Sequence, residues 1–203
     1  MSTAKDLFVI VMDSKVERPV GQGDLSLALA GAELIDLLAA GAVTLDGDRI
    51  VPGGPPDPAD RLLAEAASAL IHDMPHERVE DWLWRRGQDL STAYLTSLEE
   101  DGQLIRTRGS RSPFGADRME TVDTPDRRRA LDRRERKEPV LAALASAVGL
   151  DDERPGEEPE SDPGDEAVTT VLAVVHDAVM ELEAVRQRRS IENAAFANLW
   201  RAP

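Results

Sequence analysis

The chain has 203 residues, 24 Lys and Arg against 39 Asp and Glu, a formal net charge of −15 and no Cys. That length buries roughly 70% of the unfolded surface, enough for one sound core, so one domain spanning 1–203 is expected. The missing Cys excludes disulfides, thiolate metal sites and cysteine nucleophiles, and the acidic excess argues against a general nucleic-acid binder.

Aromatic residues make up 3% of the chain, so Leu, Val, Ile and Ala must fill the core. The bias to Ala, Arg, Asp, Gly and Pro, with few Lys, points to a GC-rich bacterial genome. Near the start, Leu7 to Met12 (LFVIVM) is a buried strand or the start of a helix, too short for periodicity to decide. It is also too short for a secretory segment, and Asp13 ends it. No apolar run approaches the ~18 residues of a membrane span. A cytoplasmic, soluble protein is expected, either free or peripheral on the inner face of the membrane.

Asp24 is the expected N-cap of a helix over Leu25–Ala40, and Gly41 suits the left-handed residue that closes it. AVTL then reads as a strand, DGD as a tight turn and RIV as the return strand. PGGPPDPAD is a loop. DRLLAEAASALI is a helix with Leu62, Leu63, Ala66, Leu70 and Ile71 on one face. HERVEDWLWRR is another, with Val79, Trp82 and Leu83 inward, and DLSTAYLTSLEEDG a third, ending at Gly102. QLIRTRGSRSPFGADRMETV reads as a second hairpin with a long tip. TPDRRRALDRRERKEPVLAALASAVGL reads as one or two helices, capped by Thr124 with Pro125 at the first position. Residues 151–166 are acidic and Pro-rich, the composition of a flexible segment. A last helix runs from about Ala167 to Trp200.

One unit recurs. Leu34, Leu37, Gly41 and Val43 have the same spacing as Leu95, Leu98, Gly102 and Leu104. Each copy puts two Leu one turn apart on a helical face, closes the helix on Gly and runs straight into a hairpin. A duplicated winged-helix-like unit and the ordinary way any helix enters a hairpin both fit. Ala28, Ala30, Gly31 and Ala32 would let the first helix approach a neighbour closely.

No nucleophile elbow, phosphate loop, zinc-binding HExxH or dinucleotide fingerprint is present, so no catalytic residue is assigned. His72 and His76 have metal-ligand spacing, but Pro75 between them reads against one helix carrying both. His176 reads as structural. No metal and no cofactor is expected. The charge is uneven: residues 105–138 hold eleven basic and seven acidic side chains, a local net +4 inside an acidic chain. The hairpin tip, with Arg106, Arg108, Arg111 and Phe114, fits an anionic lipid surface. It also fits the wing of a nucleic-acid binder, and a solvated arginine face paired with local carboxylates.

DLFVIVMDSK, LSLALAGAELIDLLAAGAVTLDGDRIV, HERVEDWLWRR and YLTSLEEDGQLIR occur in this order and resemble the Golgi phosphoprotein 3 family and its bacterial relatives, over roughly residues 6–200. The resemblance implies a compact, mainly α-helical domain with small β-hairpins. It implies a non-enzymatic peripheral adaptor that reads phosphatidylinositol 4-phosphate, contacts the membrane through its hairpin and self-associates as a homo-oligomer. In that family a Trp, an Arg and two further basic residues hold the phosphate. Here those positions carry Gly21, Ala30, Gln88 and Ser91, with Arg85 and Arg86 one turn upstream, and the hairpin offers Phe114 and Met119. The resulting expectation is an adaptor or scaffold docking on anionic lipid head groups or a membrane-associated protein. Its phosphoinositide site is degraded, and Arg85, Arg86, Arg106, Arg108, Arg111 and Phe114 are the lipid-binding candidates. A winged-helix-like nucleic-acid-binding regulator is the alternative.

Overall fold

A computed structural model describes residues 2–14, 19–54, 60–107, 118–150 and 165–199. Its organising element is α2 (Gln22–Ala39), with twelve of its 18 residues buried and an unbroken buried run from Leu25 to Ile35. A helix apolar on every side can only be stable when surrounded, and the other elements supply that enclosure. α1 (Thr3–Asp13) lies along it, antiparallel: the Asp36 carboxylate near the end of α2 accepts from Thr3 N–H at 2.9 Å and Ala4 N–H at 3.2 Å. This satisfies two donors that every helix start leaves open. The run Leu7–Met12 is thus helical. It lacks a visible helical period because both sides of the helix, from Thr3 to Ile10, are largely buried.

α2 begins three residues earlier than expected. Gly21 is its N-cap, and Asp24 sits in the first turn, where its carboxylate takes Arg186 at 2.6 and 2.8 Å instead of capping the helix. The helix closes as expected. Gly41 has φ +66°, Ala42 N–H reaches Leu37 C=O and Gly41 N–H reaches Leu38 C=O. These two bonds define a Schellman cap. The chain then forms β1 (Val43–Asp46) and β2 (Arg49–Pro52), joined through Gly47 at φ +61°.

α3 (Arg61–Ser68) is capped by Asp60 and buries Leu62 and Ala66. It ends before Leu70 and Ile71, so Ile71 lies off the expected face and is exposed. α4 (Val79–Arg86) turns Val79, Trp82 and Leu83 fully inward, as its spacing predicts. α5 (Leu90–Glu100) repeats the first cap: Gly102 has φ +67°, with Gln103 N–H to Leu98 C=O. It leads into β3 (Leu104–Thr107), antiparallel to β4 (Arg118–Thr121). α6 (Pro125–Glu135) and α7 (Pro139–Ala147) are separate helices, each with Pro at its first position and a side-chain cap, Thr124 and Glu138. The same Schellman cap closes both, at Lys137 (φ +51°) and at Gly149 (φ +76°). Among the described residues no strand follows either one. The cap therefore marks a helix end, and the hairpins are what distinguish the two winged units.

α8 (Glu166–Leu199) packs along α2, α4 and α7. Asp165 and Glu166, placed by the sequence in the acidic flexible segment, instead start this helix, and Asp165 Oδ1 accepts from Val168 N–H. The rest of that segment, 151–164, lies outside the described residues. α2 and α8 touch at Gly31: a Cβ there would overlap Val175 Cγ2. Gly31→Val should lower stability by about 1–3 kcal/mol through overpacking, measured as a drop in the urea midpoint at unchanged slope. The described residues thus form eight helices and two two-stranded sheets.

Candidate functional site

Because α4 buries Val79, Trp82 and Leu83, its last turn presents Arg85 and Arg86 on opposite sides of the inward face. Arg86 runs back under α4 to Glu33 in the middle of α2. Its Nε and Nη2 meet the two carboxylate oxygens at 2.8 and 2.9 Å. Glu33 is fully buried and also accepts from the Tyr94 hydroxyl at 3.1 Å. Burial pushes the Glu33 carboxyl above its ordinary range, against the opposing pull of Arg86 and Tyr94. Burial likewise raises the Tyr94 phenol well above its usual value. The three groups tie α2, α4 and α5 together.

Arg85 faces outward. It grips Glu77 with two bonds of 2.7 Å, donates to Ala69 C=O at 3.0 Å, and lies 5.3 Å from the centre of the Trp82 ring. The Glu77 hydrogen bonds raise its guanidinium above the ordinary value. Both arginines of α4 are therefore committed to carboxylates of the chain itself.

The positions that hold phosphate in the resembling family lie along the first half of α2 and at the α4–α5 turn. Gly21 caps the start of α2. Ala30 is fully buried, and its carbonyl accepts from Trp82 Nε1 at 3.1 Å. Gln88 is exposed in the α4–α5 turn, and buried Ser91 donates its N–H to Ser26 Oγ at 3.0 Å. None of the four carries a positive charge. Among the described residues, Arg186 of α8 reaches Gly21, and it is paired with Asp24.

The second basic region behaves alike. In β3, Arg106 is exposed and 3.5 Å from Glu99. Arg108, Arg111 and Phe114 lie outside the described residues. Along α6, Arg129 and Arg136 pair locally with Asp126 and Asp132. Arg127 and Arg133 also reach across to α1, taking Asp13 and Asp6 at 2.6 Å each, and Arg129 lies 3.8 Å from Asp6. Asp6 is almost wholly buried, so Arg133 is a fixture of the α1–α6 contact. The structure thus separates the candidates: Arg85 and Arg86 sit together on α4, and Arg106 sits apart on β3. Glu33 was missed from sequence, although one glutamate inside LSLALAGAELI was its visible signal.

Fold and site together define a mainly helical protein with two short hairpins, whose described arginines chiefly serve its own carboxylates. The chain matches the model of the Golgi phosphoprotein 3 (GPP34) family over residues 4–192, and it belongs to that family. No curated protein matches it. Membership suggests a non-enzymatic, Golgi-type adaptor. No helix among the described residues is long and apolar enough to cross a membrane.

Proposed function

We propose that this chain is a non-enzymatic peripheral adaptor that docks on an anionic lipid surface through its Arg-bearing β3–β4 hairpin, without a dedicated phosphoinositide pocket. The observation that carries this reading is the occupation of Arg86 by buried Glu33 and of Arg85 by Glu77. A doubly charged phosphate needs convergent, uncommitted donors, and at the family's ligand positions Gly21, Ala30, Gln88 and Ser91 supply no cation. The hairpin keeps Arg106, Arg108, Arg111 and Phe114 in one stretch of sequence. Attraction through such residues is electrostatic and weakens with salt, and the acidic remainder of the chain turns the hairpin toward the surface.

Sedimentation with three kinds of vesicle tests this: phosphatidylcholine alone, with phosphatidylserine, and with phosphatidylinositol 4-phosphate at matched charge. The expected result is salt-sensitive binding to both anionic kinds without preference, reduced by Arg108→Glu with Arg111→Glu. Clear selectivity for the phosphoinositide would overturn the loss of the pocket. No binding to any vesicle would move the search to a membrane-associated protein partner.

A further inference from the structure

We propose that the C-terminal arm of α8, residues 187–199, is a second contact with the anionic bilayer, placed beside the hairpin. This rests on the lipid-docking reading above. α8 is 34 residues long, but its burial stops early: Val171, Val175, Ala178 and Val179 are in the core, and Leu182 packs against it. Arg186, held by Asp24, is the last residue tied to the body among the described contacts. From Gln187 to Asn193 every residue is exposed, including Ile191 at 70%. The arm of 13 residues projects roughly 20 Å at 1.5 Å per residue.

Two features fit this arm to a bilayer. The first is charge. Arg188 and Arg189 carry no carboxylate partner among the described residues, in a chain whose other described arginines are mostly paired. The second is the distribution of aromatics. Phe8 stacks on Tyr94, Trp82 is fully buried and Trp84 packs on the core. The remaining three in the sequence are Phe114, in the hairpin, and Phe196 and Trp200, in and directly after the arm. Arginines and an exposed aliphatic residue on a projecting helix, with aromatic residues in the same stretch of sequence, are the composition of an interfacial segment.

Placement completes the argument. α1 and α2 are antiparallel, joined at one end by residues 14–21. At that end Asp13, the last residue of α1, holds Thr121 of β4, and Asp24, in the first turn of α2, holds Arg186 of α8. The hairpin base and the root of the arm therefore leave the body at the same end of the α1–α2 pair. One surface can meet both.

Vesicles of phosphatidylcholine with and without one-third phosphatidylserine, mixed with the full chain and with Arg188→Glu/Arg189→Glu, decide the matter. The double variant should bind the anionic vesicles roughly 30-fold more weakly, the product of two surface arginines, with an unchanged melting temperature. Arg188→Lys/Arg189→Lys should bind like the parent. Undiminished binding by the Glu variant, while Arg108→Glu/Arg111→Glu weakens it, would overturn the arm and leave the hairpin reading standing. A parent chain that ignores anionic vesicles would overturn both. A Glu variant that changes oligomeric mass but not vesicle binding would assign the arm to contacts between copies and overturn the proposal.

Discussion

Arg86→Met should destabilise the fold by about 3–5 kcal/mol, the cost of leaving a buried charge without its partner. Glu33 is fully buried, and the Tyr94 hydroxyl alone would remain to satisfy its carboxylate. The double variant Glu33→Leu/Arg86→Met should regain most of that loss, because it removes both charges and fills their space with apolar groups. Urea midpoints of the parent, both single variants and the double variant close the cycle. The pH dependence has a definite sign. Burial holds the folded-state pKa of Glu33 above its unfolded value of 4.5, so the folded chain binds the proton more readily. The cost of the charged carboxylate is fully present above the folded pKa, and stability from this group rises as pH falls toward 4.5. Removing Arg86 takes away a charge that opposes the shift, moving this window upward. The Arg86→Met deficit should therefore shrink as the medium is acidified from neutral. A deficit that stays constant with pH would rule out an uncompensated Glu33 charge as its cause.

Trp82→Ala should cost about as much, 3–5 kcal/mol, through the cavity left by a fully buried indole. It would also strip Ala30 C=O of the Trp82 Nε1 donor at 3.1 Å and remove the ring beneath Arg85. Trp82→Phe separates the contributions: most of the packing stays, and the hydrogen bond is lost, for about 1 kcal/mol plus the smaller void. At 203 residues, each kcal/mol moves the melting temperature by roughly 2–4 °C. Calorimetry should thus resolve the two variants. Equal losses for Phe and Ala would show that the hydrogen bond, not the ring volume, fixes α4 on α2.

What was legible in the sequence was local. Gly41 and Gly102 announce helix ends because a positive φ costs glycine little. DGD announces a hairpin, Thr124-Pro125 a helix start, and Val79, Trp82 and Leu83 an inward face. The errors arose where tertiary contact overrides local preference. Asp24 has the chemistry of an N-cap, yet Arg186, 162 residues away, claims it. LFVIVM shows no helical period because neighbours enclose most of α1. The candidate site was hardest. RRRALDRRERKE suggests local pairs, which Arg129, Arg133 and Arg136 make with Asp126, Glu138 and Asp132, but Arg127 and Arg133 also pair with α1, 114 and 127 residues distant. Whether an arginine is free for a ligand depends on such distant carboxylates, and spacing along the chain does not reveal them.

The embedding of α2 bears on how the chain matures during synthesis. Its flank at Gly31 is covered by Val175 of α8, and its first turn is held by Arg186. A nascent chain that has emerged only as far as α7 therefore presents a very apolar helix with one side bare. Such surface is what holding chaperones bind and what drives premature association. Translation stalled in the 151–164 stretch should leave a species that aggregates, and release of the last helix is the event that ends that exposure.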